Sequence, residues 1–379
     1  MITESRDQEI QIGMQIDIDA SLAEQFKTKL TKFSHMTILH HRFEQAFRNL
    51  SASLLMRGSA SEGGVIAVVG GSGIGKSSLC RTICRVKNAQ IEAINPHSPG
   101  RIVFVEVPKH SIGKFNWRDI YRRILRQLGD PTRNDKLPIE ALWDADFSSE
   151  QWARAVKGKC DTADLQSITE TLLRAYGVYA IVFDEAQHFA AVRTDAAKSH
   201  QLDQLKSLAS LAEAPVVLFG TYELQQMLDG GEQLHRRTEV IHFEGYGKEP
   251  GELGHFLAAL EAVASESPIR VEVDLASSIE LIYDHTLGRV GIWSGWLQKA
   301  NADALKDSRD RIDRSDLLRT AFNRDVLAQF SQDADAFNRF LKGVVYEGPT
   351  EQVKIPVERH RPRARPGLRK SLRDPVHLS

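Results

Sequence analysis

The sequence predicts an α/β fold in which helices flank a five-stranded parallel sheet and a smaller helical domain follows. Three observations lead to this prediction. Short, nearly continuous apolar runs recur between residues 65 and 243, as in strands buried on both faces of a parallel sheet. Helical periodicity separates these runs, and such alternation is typical of doubly wound sheets. No further run of this kind occurs after residue 247.

The elements are predicted in chain order. Residues 9–19 alternate apolar and polar side chains, which is typical of an edge strand or an extended segment, and residues 21–56 have a helical pattern. The predicted strands are 65–70, 101–108, 180–186, 216–221 and 238–243. The predicted helices between them are 76–87, 117–128, 161–176 and 200–211. Residues 249–342 indicate four or five further helices.

Four regions follow from these patterns. They are an N-terminal extension (1–34), an α/β core (35–247), a helical domain (248–342) and a basic Pro/Arg-rich tail (343–379). Because Pro, Gly and Arg dominate the last region, it is predicted to be disordered.

Length and composition exclude several protein classes. A chain of 379 residues has room for about two domains. Its 42% hydrophobic and 26% charged residues exclude disordered, collagen-like and coiled-coil compositions. No apolar stretch approaches the roughly 18 residues that a membrane helix needs, and the N-terminus lacks the layout of a signal peptide. Three cysteines cannot form a disulfide framework. We therefore expect a reduced, soluble, cytoplasmic protein with no membrane partner.

The net charge of −1 conceals an asymmetry. Residues 352–379 carry eight Lys and Arg against two acids, a net charge of +6, which leaves −7 on the remainder. Such a segment is attracted to polyanions and is typical of an interaction arm. A solvated terminus without a function is the alternative.

A phosphate-binding loop is the strongest signal in the sequence. Residues 70–77 read GGSGIGKS, a full GxxxxGK[ST] match between a predicted strand and a predicted helix. The glycines let successive backbone N–H groups point at phosphate oxygens. A lysine in this position reaches the β- and γ-phosphates, and the hydroxyl after it ligates Mg²⁺. The motif predicts ATP and Mg²⁺ as cofactors. The predicted contacts are Gly70, Gly73, Gly75, Lys76, Ser77 and Ser78.

The third predicted strand ends in two carboxylates. Asp184 is suited to holding Mg²⁺, together with Ser77, and Glu185 to polarising the water that attacks the γ-phosphate. Both lie where the carboxyl ends of parallel strands meet, and ligands of open α/β sheets bind there.

Two further polar positions allow two interpretations each. Thr221 ends the fourth predicted strand, where its hydroxyl would bind the attacking water or the γ-phosphate, or cap the helix that follows. Arg236 and Arg237 precede the fifth strand. They form a solvated face or, in an oligomeric ATPase, one of them reaches the γ-phosphate of a neighbour.

With these motifs on one chain, the sequence resembles an AAA+ ATPase with a helical lid. Three stretches, IVFDEAQHF, GTYEL…LHRRTEVIHF and VEVPKHSIGKFNWRDIYRRILRQLGDP, are similar to the TnsC/TniB family over about residues 35–325. The resemblance implies a slow, regulatory ATPase of DNA transposition. It also implies assembly as a ring or filament on double-stranded DNA with ATP, beside a transposase and a TniQ-like target selector.

The resemblance also assigns roles to residues. It implies that Lys76, Ser77, Asp184 and Glu185 bind and hydrolyse MgATP. Thr221 matches sensor 1, Arg236 or Arg237 matches the arginine finger, and Arg289 matches a second nucleotide sensor in the lid. Lys109 and Lys114 would line the DNA pore, although an ordinary solvated loop is the alternative for both.

Three other functions stay open from the sequence. One is a nucleotide-gated signalling or defence ATPase that recruits a protein through its tail and does not bind DNA. Another is a scaffold that binds ATP without turnover. The third is an AAA+ protein of the helicase-loader or secretion type, since a fold alone does not determine function.

Overall fold

The structure is a computed structural model of the full chain, and it describes only part of it. The described residues are 27–58, 64–96, 100–109, 115–129, 160–192, 194–228 and 238–323, with single positions at 24, 150, 154, 157, 326 and 328. All of them belong to one compact unit, Met1–Arg339. The predicted strand at 9–19 and the tail at 343–379 lie outside the described residues, and the four domain boundaries stay predictions.

The sheet has five parallel strands, as the sequence predicted. They are β1 (Val65–Val69), β2 (Ile102–Glu106), β3 (Ala180–Asp184), β4 (Val216–Gly220) and β5 (Thr238–His242). Their order is β2-β3-β4-β1-β5, and every pair is parallel. All five carboxyl ends therefore lie at one edge, to which the loop after β1 and the acids at the end of β3 also belong.

Successive side chains of each strand enter opposite hydrophobic layers, because a strand has a period of two. In β1, Val65, Ala67 and Val69 enter one layer, whereas Ile66 and Val68 enter the other. Every residue of the three central strands, β1, β3 and β4, is buried. This explains why these strands read as continuous apolar runs rather than as alternating patterns.

Helices cover both faces of the sheet. Among the described residues of this domain, the helices are α1 (His41–Gly58), α2 (Lys76–Ile94), α3 (Trp117–Leu128), α4 (Thr162–Ala175), α5 (Gln187–Ala190), α6 (Asp195–Leu211) and α7 (Glu223–Leu228). Buried side chains of α1 and α2 lie in one layer, and those of α3, α4 and α6 lie in the other. Caps set two boundaries: the Asp161 side chain accepts the Asp164 N–H at α4, and Thr194 accepts the Ala197 N–H at α6.

The helical pattern predicted over 21–56 is interrupted in the structure. Residues 27–34 are helical, a non-helical segment follows at 36–40, and α1 begins at His41. The reason is tertiary: Phe33, Met36 and Ile38 pack into the core of the helical domain rather than against the sheet. Helical periodicity alone cannot reveal such a change of partner.

The helical domain follows β5 and has its own core. It contains α8 (Pro250–Ser265), α9 (Ile279–Thr286), α10 (Val290–Lys306) and α11 (Arg314–Thr320). Trp293 and Trp296 of α10 lie at the centre of this core and are fully buried. Two-residue strands, β6 (Arg270–Val271) and β7 (Arg311–Ile312), pair in parallel, and they are too short to leave a pattern in the sequence. None of the described helices is long and apolar enough to cross a bilayer.

Replacing Asn301 by alanine should destabilise the helical domain. Its fully buried side chain accepts the Ile269 N–H at 3.0 Å, donates to the Leu297 carbonyl at 2.8 Å and bonds the Ser267 hydroxyl. Removing it leaves the buried Ile269 N–H without its acceptor and breaks the bond to Ser267, and we expect a loss of about 2–4 kcal/mol in the free energy of unfolding. Urea unfolding followed by tryptophan fluorescence measures it. The exposed Asn49 of α1 is the control, since Asn49→Ala on a helix surface should not lower the free energy of unfolding. Equal effects of the two variants would contradict the prediction.

Candidate active site

The glycine-rich loop lies between β1 and the N-terminus of α2, and its backbone requires glycine at several positions. Gly73 and Gly75 have φ angles of +73° and +108°, in the region that side chains rarely adopt. A Cβ atom at Gly70 would lie 2.3 Å from the Phe243 carbonyl oxygen. Lys76 extends back over this loop, where its Nζ donates to the carbonyls of Gly70 and Gly71 at 2.9 Å each. The loop and its lysine therefore form a compact cationic cradle.

Ser77, which follows the loop, is in contact with Asp184, although 107 positions separate them in the sequence. The Ser77 side chain hydrogen-bonds the Asp184 carboxylate. Burial raises the pKa of Asp184, while the Ser77 hydrogen bond and the one from the Glu185 backbone N–H oppose that shift. A hydroxyl and a carboxylate are oxygen donors that Mg²⁺ prefers in proteins. The residues present thus fit the predicted metal.

Glu185 follows Asp184 in an unusual backbone conformation. Its φ angle is +56°, which is uncommon for a residue other than glycine. Two bonds hold this turn: the Glu185 N–H donates to Asp184 Oδ1 at 3.0 Å, and the Ala186 N–H donates to the Phe219 carbonyl at 2.8 Å. Residues held in this way often lie at functional sites. The conformation directs the chain from the buried strand into the short helix α5.

Gln187 joins the ends of β3 and β4. Its Nε2 donates to Glu185 Oε2 at 2.5 Å, and its Oε1 accepts the Thr221 N–H at 3.2 Å. This residue was not predicted from the sequence. A strand-end acid followed two positions later by an amide is the only signal that the sequence carries for it.

The Thr221 hydroxyl does not cap α7. Its Oγ1 is inaccessible to solvent and makes no hydrogen bond to any described residue. Only the Thr221 carbonyl joins the helix start, by accepting the Leu224 N–H at 3.0 Å. Of the two predicted interpretations, the capping one is thus absent from the described part of the chain. The role towards the attacking water stays a prediction.

The helical domain touches the glycine-rich loop through the start of α10. Arg289, only 4% exposed, donates to the Ser72 carbonyl at 3.2 Å, and a Cβ atom at Gly71 would lie 2.9 Å from its Cζ. One residue pair is even closer, because a Cβ atom at Gly291 would lie 2.4 Å from the Gly73 carbonyl oxygen. A guanidinium from the helical domain therefore lies beside the phosphate cradle.

A cleft of about 230 Å³ adjoins the loop. Its lining includes Ile74, Gly75 and Ser78 from the loop region, residues 36–38 and Gln298 of α10. His40, also in the lining, is held by the Tyr246 hydroxyl, 2.9 Å from its Nδ1. The walls of the cleft thus come from three parts of the chain. Neither His40 nor Tyr246 was predicted from the sequence as a site residue.

The lowered pKa of His40 predicts that the free energy of unfolding decreases as the pH is lowered. Burial, and then the neighbouring His41, lower the pKa of His40 from 6.5 to about 4. The unfolded chain therefore gains a proton between pH 6.5 and 4 that the folded chain does not, so stability is lost as pH falls through this window. At about 1.4 kcal/mol per unit of pKa, the loss by pH 4 is roughly 3 kcal/mol. Urea midpoints measured from pH 6.5 to 4.5 report it. His40→Gln should flatten the profile, and an unchanged slope would contradict the assignment.

Three predicted site residues lie outside the described part of the chain, and a fourth lies apart from the glycine-rich loop. Arg236, Arg237 and Lys114 lie outside the described residues. Lys109 is exposed three residues beyond β2, which is an edge strand separated from β1 by β3 and β4. At the usual strand spacing, β2 and β1 are ~14 Å apart. Lys109 therefore shares the carboxyl edge of the sheet with the cradle but is not part of it.

Comparison with known proteins identifies the type of domain. Residues 58–228 match the family model described as "AAA domain". The five-stranded sheet, its order and the flanking helices are those of an AAA+ P-loop domain, followed by a helical region. No curated protein matches the chain.

Solved structures resemble the chain at low identity. The ORC2 protein of Aeropyrum pernix, in ADPNP–ADP complexes, is 14% identical with a TM-score of 0.47, covering 76% of this chain and 70% of that one. The Aeropyrum pernix ORC1 protein in complex with DNA is 14% identical, with a TM-score of 0.46 and coverages of 76% and 66%. Drosophila ORC bound to DNA is 15% identical, with a TM-score of 0.45 and coverages of 85% and 80%. These chains are thus only partly matched, and similarities of this degree do not extend to function.

Proposed function

We propose that this chain, whose residues 58–228 match the AAA domain family, is an ATPase that binds MgATP beside its helical domain. The observation that carries the proposal is the contact of Ser77 with Asp184 below a glycine-rich loop that holds Lys76. A hydroxyl, a buried carboxylate and an ammonium group around one cradle are the groups that nucleotide phosphates and Mg²⁺ require.

Each residue then has a stated task. Lys76 would exchange its bonds to the loop carbonyls for bonds to the β- and γ-phosphates. The phosphates would bind in the loop that its ammonium group already contacts. Ser77 and Asp184 would hold Mg²⁺, which when bound neutralises charge on the phosphates. Glu185 would accept the proton of the attacking water, and the Thr221 hydroxyl would orient that water.

The helical domain would report on the bound nucleotide. Arg289 already contacts the loop through the Ser72 carbonyl, so a γ-phosphate in the cradle would offer it a negatively charged acceptor close by. The cleft walled by residues 36–38 and α10 would hold the base. A bound nucleotide would thus link the sheet domain to the helical domain at Arg289 and at the cleft.

We further propose that the ATPase is a regulator of DNA transposition that assembles as a homo-oligomer on double-stranded DNA. The support is the resemblance to the TnsC/TniB family in IVFDEAQHF and GTYEL…LHRRTEVIHF. Arg236 or Arg237 would complete the site of a neighbouring subunit. Lys109 and Lys114 would supply positive charge to DNA, which is needed locally because residues 1–351 carry a net charge of −7. A transposase and a TniQ-like selector would be its protein partners.

Filter binding at graded salt tests the DNA part of this proposal. We expect affinity for a mixed-sequence duplex that requires ATP and falls linearly in a log–log plot against salt, because protein cations displace counterions from phosphates. Affinity that is absent even at low salt, with normal ATP turnover, would favour the signalling ATPase instead. A transposase gene beside this one, with strand transfer that this protein and ATP stimulate, would support the transposition role.

A further inference from the structure

We propose that Gln187 is a positioning residue that aligns Glu185 with Thr221 for hydrolysis. This inference rests on the proposed ATPase function and concerns a residue to which that function assigned no role. Its basis is the amide bridge between the two strand ends, with Nε2 on the Glu185 carboxylate at 2.5 Å and Oε1 on the Thr221 N–H at 3.2 Å.

The bridge joins the two residues that must act on one water molecule. Glu185 follows β3 and Thr221 follows β4, and the register of these neighbouring strands ends at Phe183 and Leu218. Beyond that register the Ala186 N–H still bonds the Phe219 carbonyl at 2.8 Å, but this backbone bond does not involve the Glu185 side chain. The primary amide of Gln187, which donates at one end and accepts at the other, links that side chain to the end of β4. It also engages only one Glu185 oxygen, so that the other is available to a water molecule.

The surrounding backbone is built to receive this side chain. A Cβ atom at Gly220 would lie 3.1 Å from both the backbone nitrogen and Oε1 of Gln187. The positive φ of Glu185 and the bond from the Ala186 N–H to Phe219 set the direction in which α5 leaves the sheet. Gln187 can thus pack against the end of β4 because Gly220 has no side chain and because the backbone turns at Glu185.

The bridge matters for rate more than for binding. Its two hydrogen bonds go to Glu185 and Thr221 rather than to the glycine-rich loop or Arg289, so ATP affinity should not depend on it. A reacting water, in contrast, requires its base and its orienting hydroxyl in one geometry, and small misplacements of such groups reduce rates strongly. Loss of the bridge should therefore lower kcat and leave the dissociation constant of ATP unchanged.

The test compares Gln187→Met with wild type. Methionine keeps the length and volume of glutamine but makes neither hydrogen bond. We expect kcat for ATP hydrolysis to fall about 10- to 100-fold, in line with the loss of a hydrogen bond to a charged group, with less than a twofold change in ATP affinity by calorimetry. Gln166→Met is the matched control, because Gln166 donates to Glu170 at 2.8 Å in the same chemical pairing on α4. It should change neither quantity. If Gln187 only filled space, Gln187→Met would keep the wild-type kcat, and the inference would be wrong.

Two further variants keep the test decisive. Gln187→Glu, assayed at pH 8, retains the acceptor for the Thr221 N–H but places a second carboxylate against Glu185, and should lower kcat at least as much. In a Glu185→Gln background, Gln187→Met should cost no further rate, since the bridge acts through Glu185; full additivity would overturn the inference. If Glu185→Gln itself leaves turnover unchanged, the proposed ATPase mechanism fails. If only the Gln187 variants behave as wild type, this inference alone fails.

Discussion

Replacing Lys76 by alanine is expected to weaken nucleotide binding at least about 100-fold. The variant loses the ammonium group that reaches the loop carbonyls of Gly70 and Gly71 and that we assign to the phosphates. Losing charge-assisted hydrogen bonds to phosphate costs about 3 kcal/mol, which corresponds to an affinity at least roughly 100-fold weaker. Isothermal calorimetry with MgATP measures this directly, and hydrolysis should disappear at ATP concentrations that saturate wild type.

Lys87 provides the control for this variant, because it is a lysine of the same helix, α2, away from the loop. Lys87→Ala should bind MgATP with wild-type affinity. Circular dichroism of both variants separates lost binding from lost folding. Undiminished ATP binding by Lys76→Ala would refute the nucleotide site and, with it, every role assigned around the cradle.

Replacing Glu185 by glutamine is expected to separate binding from hydrolysis. Glutamine keeps the size of the side chain but cannot accept the proton of the attacking water. General base catalysis contributes roughly 100- to 10,000-fold to a rate, and we expect kcat to fall within that range while ATP affinity stays within a few-fold. Phosphate release measures turnover. Size-exclusion chromatography with ATP and duplex DNA should show an oligomer that persists longer than that of wild type.

Glu213 is a matched control for the glutamate. It too is a glutamate with a positive φ, +53°, but it is exposed and paired with Arg174. Glu213→Gln should hydrolyse ATP at the wild-type rate. If Glu185→Gln also released phosphate and assembled as wild type does, a protein that binds ATP as a scaffold without turnover at this site would be the better description.

Much of the α/β domain could be predicted because its signals are local. A buried parallel strand needs apolar side chains on both faces, and so VIAVV and AIVFD are visible as runs. The glycine-rich loop needs glycine where φ is positive. Gly73 and Gly75 could therefore be recognised in the sequence as part of one motif. The helix bounds were less accurate. Helix α2 continues seven residues beyond the predicted 87, to Ile94, and ends just before Asn95 and Pro96, a stop signal that the predicted boundary did not use.

Contacts between distant segments could not be predicted. Nothing in the residues near His40 indicates that Tyr246, 206 positions away, holds its ring. In the same way, the break at 36–40 depends on packing of Phe33 and Ile38 into the helical domain. Periodicity reports that a face is apolar but not which partner covers it.

By itself, the sequence determined that this protein has a parallel sheet with a phosphate loop and an acid pair at the ends of its strands. These features depend on backbone conformation and burial, which residue types constrain within a few positions. Only the tertiary structure decided that Ser77 meets Asp184, that Arg289 reaches Ser72 and that Gln187 bridges Glu185 and Thr221. Each of these pairings depends on strand order and on the packing of the helical domain, and hydrogen bonds of this kind form only when the fold has brought both partners within about 3 Å.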